Sequence, residues 1–383
     1  MSLPTRRDTE GVAPLLPVRT DLAGLEPYGA PQLDVPVRLN VNENPFPPSR
    51  AVVEDIAASV GRAAAGLNRY PDRDFPELRA ALADYLAVES HVRVDPGLVW
   101  AANGSNEVMV QILQAFGGCG RTVVSFAPTY SMYHEYARDT CTRWVQGERG
   151  DGFRLDLDEV GRVLEREHPS VLLLASPNNP TGTALDPDSA RRVLDLTRAS
   201  GPEVGGGRAA TLVVIDEAYG EFRRDGVPSA LEMLADNTHL VVSRTMSKAF
   251  GMAGLRLGYM AAAREVIDAV MLVRLPYHLS AVTQAAALAA LRHREELMAQ
   301  IAGLRVERDA LAAWLREQGY TVADSDANFV LFGTFPDRGA VFRALLDRGV
   351  LIRVVGPEGW LRVSVGTPEE TEAFRAALTE VTA

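Results

Sequence analysis

Lysine is almost missing from this 383-residue chain. Of its 39 lysine and arginine residues only Lys248 is a lysine. Cysteine is nearly as scarce: Cys119 and Cys141 form no recognisable disulfide or zinc framework and fit a reducing compartment. The six histidines are scattered without metal-ligand spacing, so no metal site is expected. No apolar run reaches the length needed to cross a bilayer. The opening MSLPTRRDTEGVAPLLPV has arginines but no apolar segment of a secretory leader. These absences point to a cytoplasmic protein with no membrane partner. A net charge of −11 argues against a nucleic-acid surface and favours a small-molecule enzyme.

What remains is an ordinary soluble composition, 47% hydrophobic and 23% charged, with enough length for two or three domains. "TVVSFAP", "VLLLASPNNP", "TLVVIDEAY" and "LVVSRTMSK" share one design, a β-branched apolar run that ends in polar residues. Such runs suit strands buried on both faces of a parallel or mixed α/β sheet, whose ligands bind beyond the carboxyl ends. Asp216, Asn179 and Lys248 all fall there. The turn-rich GPEVGGGRAA (201–210) reads as a surface loop. From Pro276 the chain turns to long alanine- and leucine-rich helical sequence, then to the strand candidates "NFVLF", "VLIRVV" and "WLRVSVG". The expected organisation is an arm over 1–44 packing with the small domain, a large domain over 45–275 and a small α+β domain over 276–383.

The single lysine has informative neighbours. Arginine keeps its proton at any working pH, whereas a desolvated ε-amine loses it and can attack a carbonyl. Thr245, Ser247 and Arg256 surround Lys248 in sequence and suit a phosphate dianion, with Gly251 and Gly254 allowing close backbone approach. Asp216 leaves a buried strand and needs a partner, either a cationic ring nitrogen or a cap or ion pair. Asn179 reads as a donor to a phenolate oxygen or as an ordinary turn residue. "AANGSNE" opens an amphipathic helix, so free amides and Ser105 form an anion site or simply an N-cap. Tyr130, after a proline, suits stacking on a flat heterocycle or packing in the core.

Singly these signals are weak. In this order they join "PYGAPQL", "LNVNENPFPPS", "RYPD", "PTYSMY", "SPNNPTGT", "DEAYGEF", "TMSKAFGMAGLRLGY", "RLPYHLS", "DANFVLF" and "LRVSVGT". From about Asp21 onward the sequence resembles the fold-type-I, pyridoxal-5′-phosphate (PLP)-dependent aminotransferases, and within them the histidinol-phosphate branch. The resemblance implies an α/β fold with a large, mostly parallel mixed sheet flanked by helices and a smaller α+β domain. It implies that Lys248 forms the Schiff base with PLP and then carries the proton of the transfer. Asp216 would pair with the pyridine nitrogen, Asn179 and Tyr219 with the phenolic oxygen, and Tyr130 would stack on the ring. Gly104, Ser105, Asn106, Thr245, Ser247 and Arg256 would hold the phosphate. Tyr70 would reach the phosphate of a neighbouring subunit, implying a homodimer with shared sites. Arg362 would grip the amino donor's carboxylate, with Tyr28, Asn42, Asn328 and Arg353 as candidates for the rest of the substrate pocket. For Arg353 a surface position, and for Asn328 a turn, are equally open.

The implied reaction moves an amino group between L-histidinol phosphate and 2-oxoglutarate, with glutamate as the donor in biosynthesis. An aromatic-amino-acid aminotransferase is the nearest rival, and a PLP-dependent decarboxylase of an amino-acid phosphate a more distant one. A PLP-sensing regulator would need a DNA-binding domain for which the chain has neither room nor a basic stretch.

Overall fold

The structure is a computed structural model that describes residues 16–382. It divides into two units, one ending at Asp34 and one beginning at Val35. The expected 1–44 arm is therefore split: residues 1–15 lie outside the described part, and 35–44 belong to the second unit. In the first unit a 3₁₀ turn spans Thr20–Leu22, and Tyr28 is 49% exposed.

The second unit is built on a seven-stranded sheet. In spatial order its strands are Val99–Ala102, Gly258–Ala262, Leu240–Thr245, Leu212–Asp216, Val171–Ala175, Thr122–Ala127 and Arg143–Glu148. Only Gly258–Ala262 runs against its neighbours; the others are parallel. The inner strands are buried along their whole length, as helices on both faces require of continuous apolar runs. Each fully buried valine or leucine in them contributes roughly 1.5–3 kcal/mol. The polar residues that interrupt this pattern, Asp216, Ser243, Arg244 and Thr245, sit at the carboxyl ends.

A four-stranded antiparallel sheet follows in the order Thr321–Val322, Phe329–Gly333, Leu361–Ser364 and Arg353–Val354. Its core holds Leu311, Leu315, Val330, Phe332, Leu361, Val363 and Phe374. The expected strand "VLIRVV" is two short ones. Val350–Leu351 pairs in parallel with Val37–Arg38, and beyond Ile352 the chain joins the four-stranded sheet. A third cluster, including Tyr219, Phe222 and Ala249 with Phe329 and Val365, fills the seam between the two sheets.

The long helical stretch breaks at His293 into Ala281–Arg292 and Arg294–Glu317. Ala287, Ala290 and Leu291 of the first belong to the large-sheet core, so the expected boundary near 276 precedes a helix that packs with the large sheet. The second helix threads all three clusters through Leu297, then Ile301 and Leu304, then Leu311 and Leu315. Residues 201–210 contain a small hairpin, Glu203–Val204 with Gly207–Arg208, because Gly205 and Gly206 take the positive φ that its tight turn needs. Among the described residues no helix is long and apolar enough to cross a membrane, and no cluster could hold a metal ion.

Candidate active site

The period of two along a strand decides which polar residues meet. Asp216 ends one strand opposite Ser243 of the next, and their side chains share a face: the Ser243 hydroxyl donates to Asp216 Oδ1 at 2.8 Å. The Tyr133 hydroxyl donates to Oδ2 at 3.0 Å. Asp216 is buried, yet among the described residues only hydroxyls and the Ala218 amide serve it, and no cation pairs with it. Burial therefore pushes its pKa up, against these hydrogen bonds. A buried carboxylate without a cation is a ready partner for a protonated ring nitrogen.

Lys248 is half-buried three residues past Thr245, the end of its strand, on the loop that leaves the sheet. Its Nζ donates to the Val41 carbonyl at 2.8 Å and lies 5.9 Å from the centre of the Tyr219 ring. Desolvation, together with Arg362 and Arg256, lowers its pKa from 10.5 to about 8, with Glu43 opposing. The free amine is thus accessible near neutral pH. We expect cofactor capture by the apo-protein to accelerate as pH rises to about 8 and to level off above it, because the reactive unprotonated fraction then saturates. Stopped-flow absorbance against pH checks this; a rise continuing to pH 10 contradicts a desolvated amine.

Tyr219 and its partners form the next layer. Its hydroxyl accepts from Asn42 Nδ2 at 2.9 Å and from Asn179 Nδ2 at 3.4 Å. Asn179 Oδ1 in turn accepts from Arg362 Nη1 at 2.5 Å. Arg362 also donates to the Asn40 carbonyl at 3.0 Å, and its guanidinium stacks 5.0 Å from the Phe329 ring centre. Tyr130 meets Tyr133 edge-on with centroids 5.5 Å apart, which places it beside the Asp216 partner.

An anion cradle lies at the start of the helix Gly104–Phe116. Gly104 has φ 80°, and a β-carbon there would stand 2.6 Å from Arg256 Nη2, so glycine lets the guanidinium close on the helix end. Ser105 and Asn106 occupy the first turn, and the cap residue is Asn103, whose backbone and side-chain nitrogens donate to Glu107. Arg256 Nη1 lies 3.4 Å from the Ser247 hydroxyl, which accepts from Thr245 at 3.0 Å. Two hydroxyls, a guanidinium and free helix amides converge as a phosphate dianion requires.

The remaining candidates separate. Asn42 and Asn328 are buried and bonded to each other, Asn328 Nδ2 donating to the Asn42 carbonyl at 3.1 Å. Asn42 holds a positive φ of 56° because Ser364 and Tyr219 grip it on both sides. Arg353 faces Arg362 directly across the small sheet. Its Nη1 and the Asn328 Oδ1 are buried without a hydrogen-bond partner among the described residues. Tyr70 is 80% exposed and stacks on Tyr277 at 4.5 Å, apart from this group. Tyr28 belongs to the other unit.

Sequence reasoning missed Tyr133, Ser243 and the Val41 carbonyl. Ser243 had a signal, a hydroxyl that directly follows the apolar run 240–242. Tyr133 had only its place in "PTYSMY", and a carbonyl has none.

Residues 35–378 match the family described as aminotransferase class I and II, and the chain belongs to that family. Within it, the chain is 57% identical over 367 residues to a histidinol-phosphate aminotransferase of Thermobifida fusca (strain YX), covering 96% of each. It is 56% identical to that of Bifidobacterium longum (strain NCC 2705), again over 96% of each chain. Among solved structures, a histidinol-phosphate aminotransferase from Sinorhizobium meliloti in complex with pyridoxal-5′-phosphate superposes with a TM-score of 0.76 at 27% identity over 91% of both chains.

Proposed function

We propose that the chain is a PLP-dependent histidinol-phosphate aminotransferase, exchanging the amino group of L-histidinol phosphate with 2-oxoglutarate. One observation carries the reading. A deprotonable amine, Lys248, lies at the carboxyl ends of the same strands as Asp216, a buried carboxylate with no cation partner among the described residues, and beside the Arg256 of a phosphate cradle. These residues fit PLP: Asp216 for the ring nitrogen, Tyr219 and Asn179 for the phenolic oxygen, Tyr130 for the ring face. Gly104, Ser105, Asn106, Thr245, Ser247 and Arg256 would hold the phosphate. When bound, PLP supplies the electron sink that accepts the charge left at Cα. Lys248 Nζ would take the Cα proton and deliver it to C4′, so that the proton lost from one carbon is gained by the other. Arg362, locked by Asn179 and the Asn40 carbonyl, grips the donor's carboxylate.

The second half-reaction places a phosphate monoester where glutamate's carboxylate had been. Two arginines side by side on one sheet face repel each other unless an anion lies between them, and a guanidinium fork accepts carboxylate and phosphate alike. Arg353, with its buried unpaired Nη1, is the second arm, and Asn42 and Asn328 complete the pocket. The test compares kcat/KM for L-histidinol phosphate and phenylalanine with 2-oxoglutarate as acceptor. We expect histidinol phosphate to be favoured at least on the order of a hundredfold, since phenylalanine leaves a phosphate site unfilled. Parity, or a preference for phenylalanine, identifies the aromatic enzyme instead.

The same reading makes the enzyme a cytoplasmic homodimer built of a large part over 45–275 and a small part over 276–383. Leu272 and Leu275 are 86% and 71% exposed, beside the Tyr70–Tyr277 stack, an apolar patch of the kind that a second copy covers. Tyr70 would cross to the partner's phosphate. Sedimentation equilibrium should give twice the chain mass; a monomer at micromolar concentration removes the shared site.

A further inference from the structure

The strand alternation that aims Asp216, Ser243 and Thr245 at the site aims their neighbours Glu217 and Arg244 to the opposite face. There the structure buries five charged side chains: Glu89, Glu217, Glu221, Arg223 and Arg244. Arg244 is the hub. Its Nε and Nη2 reach Glu217 Oε2 at 2.8 and 2.7 Å, and Nη1 reaches Glu89 at 2.9 Å and Glu221 at 3.4 Å. Nη2 also donates to the hydroxyls of Ser90 and Ser229, both at 3.1 Å. Arg223 joins Glu217 and Glu89, each at 3.2 Å. Glu217 further accepts from Ser229 Oγ and the Ala230 amide, both at 2.7 Å. Gly220 makes room: a β-carbon there would stand 2.9 Å from Arg244 Cζ and from Arg223 Nη1.

We infer that this cluster is a positioning element for the transamination site, with Arg244 as the residue that locks the Asp216 strand end to the Lys248 loop. The Glu217–Arg244 bond crosses between the two strands one residue beyond the Asp216–Ser243 pair, so it fixes the separation of the acid from the loop that carries the amine. Glu89, the last residue of the helix Pro76–Glu89, and Glu221 tie that joint to two further elements. Stability alone is a poor account of the arrangement. Apolar side chains of similar volume commonly serve a core as well as buried ion pairs do. Three carboxylates against two guanidiniums, with Glu221 Oε2 and the Tyr259 hydroxyl buried without hydrogen-bond partners among the described residues, is also not a minimal way to fill space. The fork's planar geometry is the useful property, and a lysine's single ammonium cannot reproduce it.

The inference rests on the cofactor assignment but not on the amino acceptor, so its test uses PLP and glutamate only. Arg244→Lys is compared with Arg308→Lys. Arg308 is a buried guanidinium outside the cluster, bonded to the Phe222 and Ala327 carbonyls at 2.7 and 3.4 Å. Thermal unfolding, PLP dissociation constant and the rate and saturation of the glutamate half-reaction are measured for each. Arg244→Lys should weaken PLP binding about tenfold and slow the half-reaction roughly a hundredfold, the effect of a misplacement near 1 Å, with glutamate saturation little changed. Arg308→Lys should lower the unfolding temperature without either loss. If Arg244→Lys does not fold, Glu217→Gln serves in its place with the same expected direction. A folded variant with wild-type PLP affinity and rate overturns the inference, as does an Arg308→Lys enzyme with equal functional losses. Failure of the wild-type chain to bind PLP defeats the cofactor reading instead.

Discussion

Lys248→Arg should abolish transamination, with a fall on the order of 10⁶-fold, as removal of a covalent nucleophile does elsewhere. The reason is the proton. Burial and the nearby Arg362 and Arg256 bring the lysine amine down to about pH 8, a range a guanidinium never reaches. The substitution keeps positive charge and length, so folding and the phosphate cradle should survive. PLP should still bind, held by Arg256 and the helix start, but without the absorbance of a covalently attached cofactor. Absorbance spectra and a coupled 2-oxoglutarate assay read the two effects separately. An active Lys248→Arg enzyme would end this account. A smaller substitution, Lys248→Ala, should regain part of its rate with an added primary amine, which a purely structural lysine would not.

Asp216→Asn should separate attachment from chemistry. The amide keeps an oxygen for the Ser243 or Tyr133 hydroxyl but cannot hold a proton on the ring nitrogen. Covalent attachment of PLP should persist while the glutamate half-reaction slows by about 10³-fold, the scale of losing one preorganised electrostatic partner. The apo-protein should respond in the opposite sense. Burial raises the folded pKa of Asp216 above its unfolded value. Stability from the protonated form is present at low pH and is lost as pH rises through the folded pKa, so at neutral pH the carboxylate is a net burden. Apo Asp216→Asn should therefore unfold at a higher temperature than apo wild type at pH 7 and lose that advantage in acid. Thermal melts at pH 7 and pH 4 check it. A less stable variant at pH 7 means that the hydrogen bonds from Ser243, Tyr133 and Ala218 outweigh the cost of burying the charge.

The two substitutions bracket what could be read before the fold was known. Lys248 and Asp216 stood out because each contradicted its surroundings: a lone lysine in an arginine-rich chain, and an acid at the end of an apolar run. The inner strands were legible for a related reason, since burial on both faces leaves an unbroken β-branched signature. Arg244 sat in plain view one residue before Thr245 and carried no such contradiction, because arginine is the default base here. Its role depends on Glu89, 155 residues away in sequence, and no local pattern carries that distance. The split of "VLIRVV" into two sheets was hidden likewise, since strand propensity does not name the partner.

Residue chemistry and local period, both properties of the chain alone, determined the element types, the candidate nucleophile and acid, and the family they resemble. The tertiary structure decided which polar atoms are deprived of water and which meet: the Val41 carbonyl on the Lys248 amine, Arg353 opposite Arg362, and the five charges behind the strand ends. Desolvation and long-range pairing arise only when distant segments are brought together, so they are written in the packing and not in any stretch of sequence.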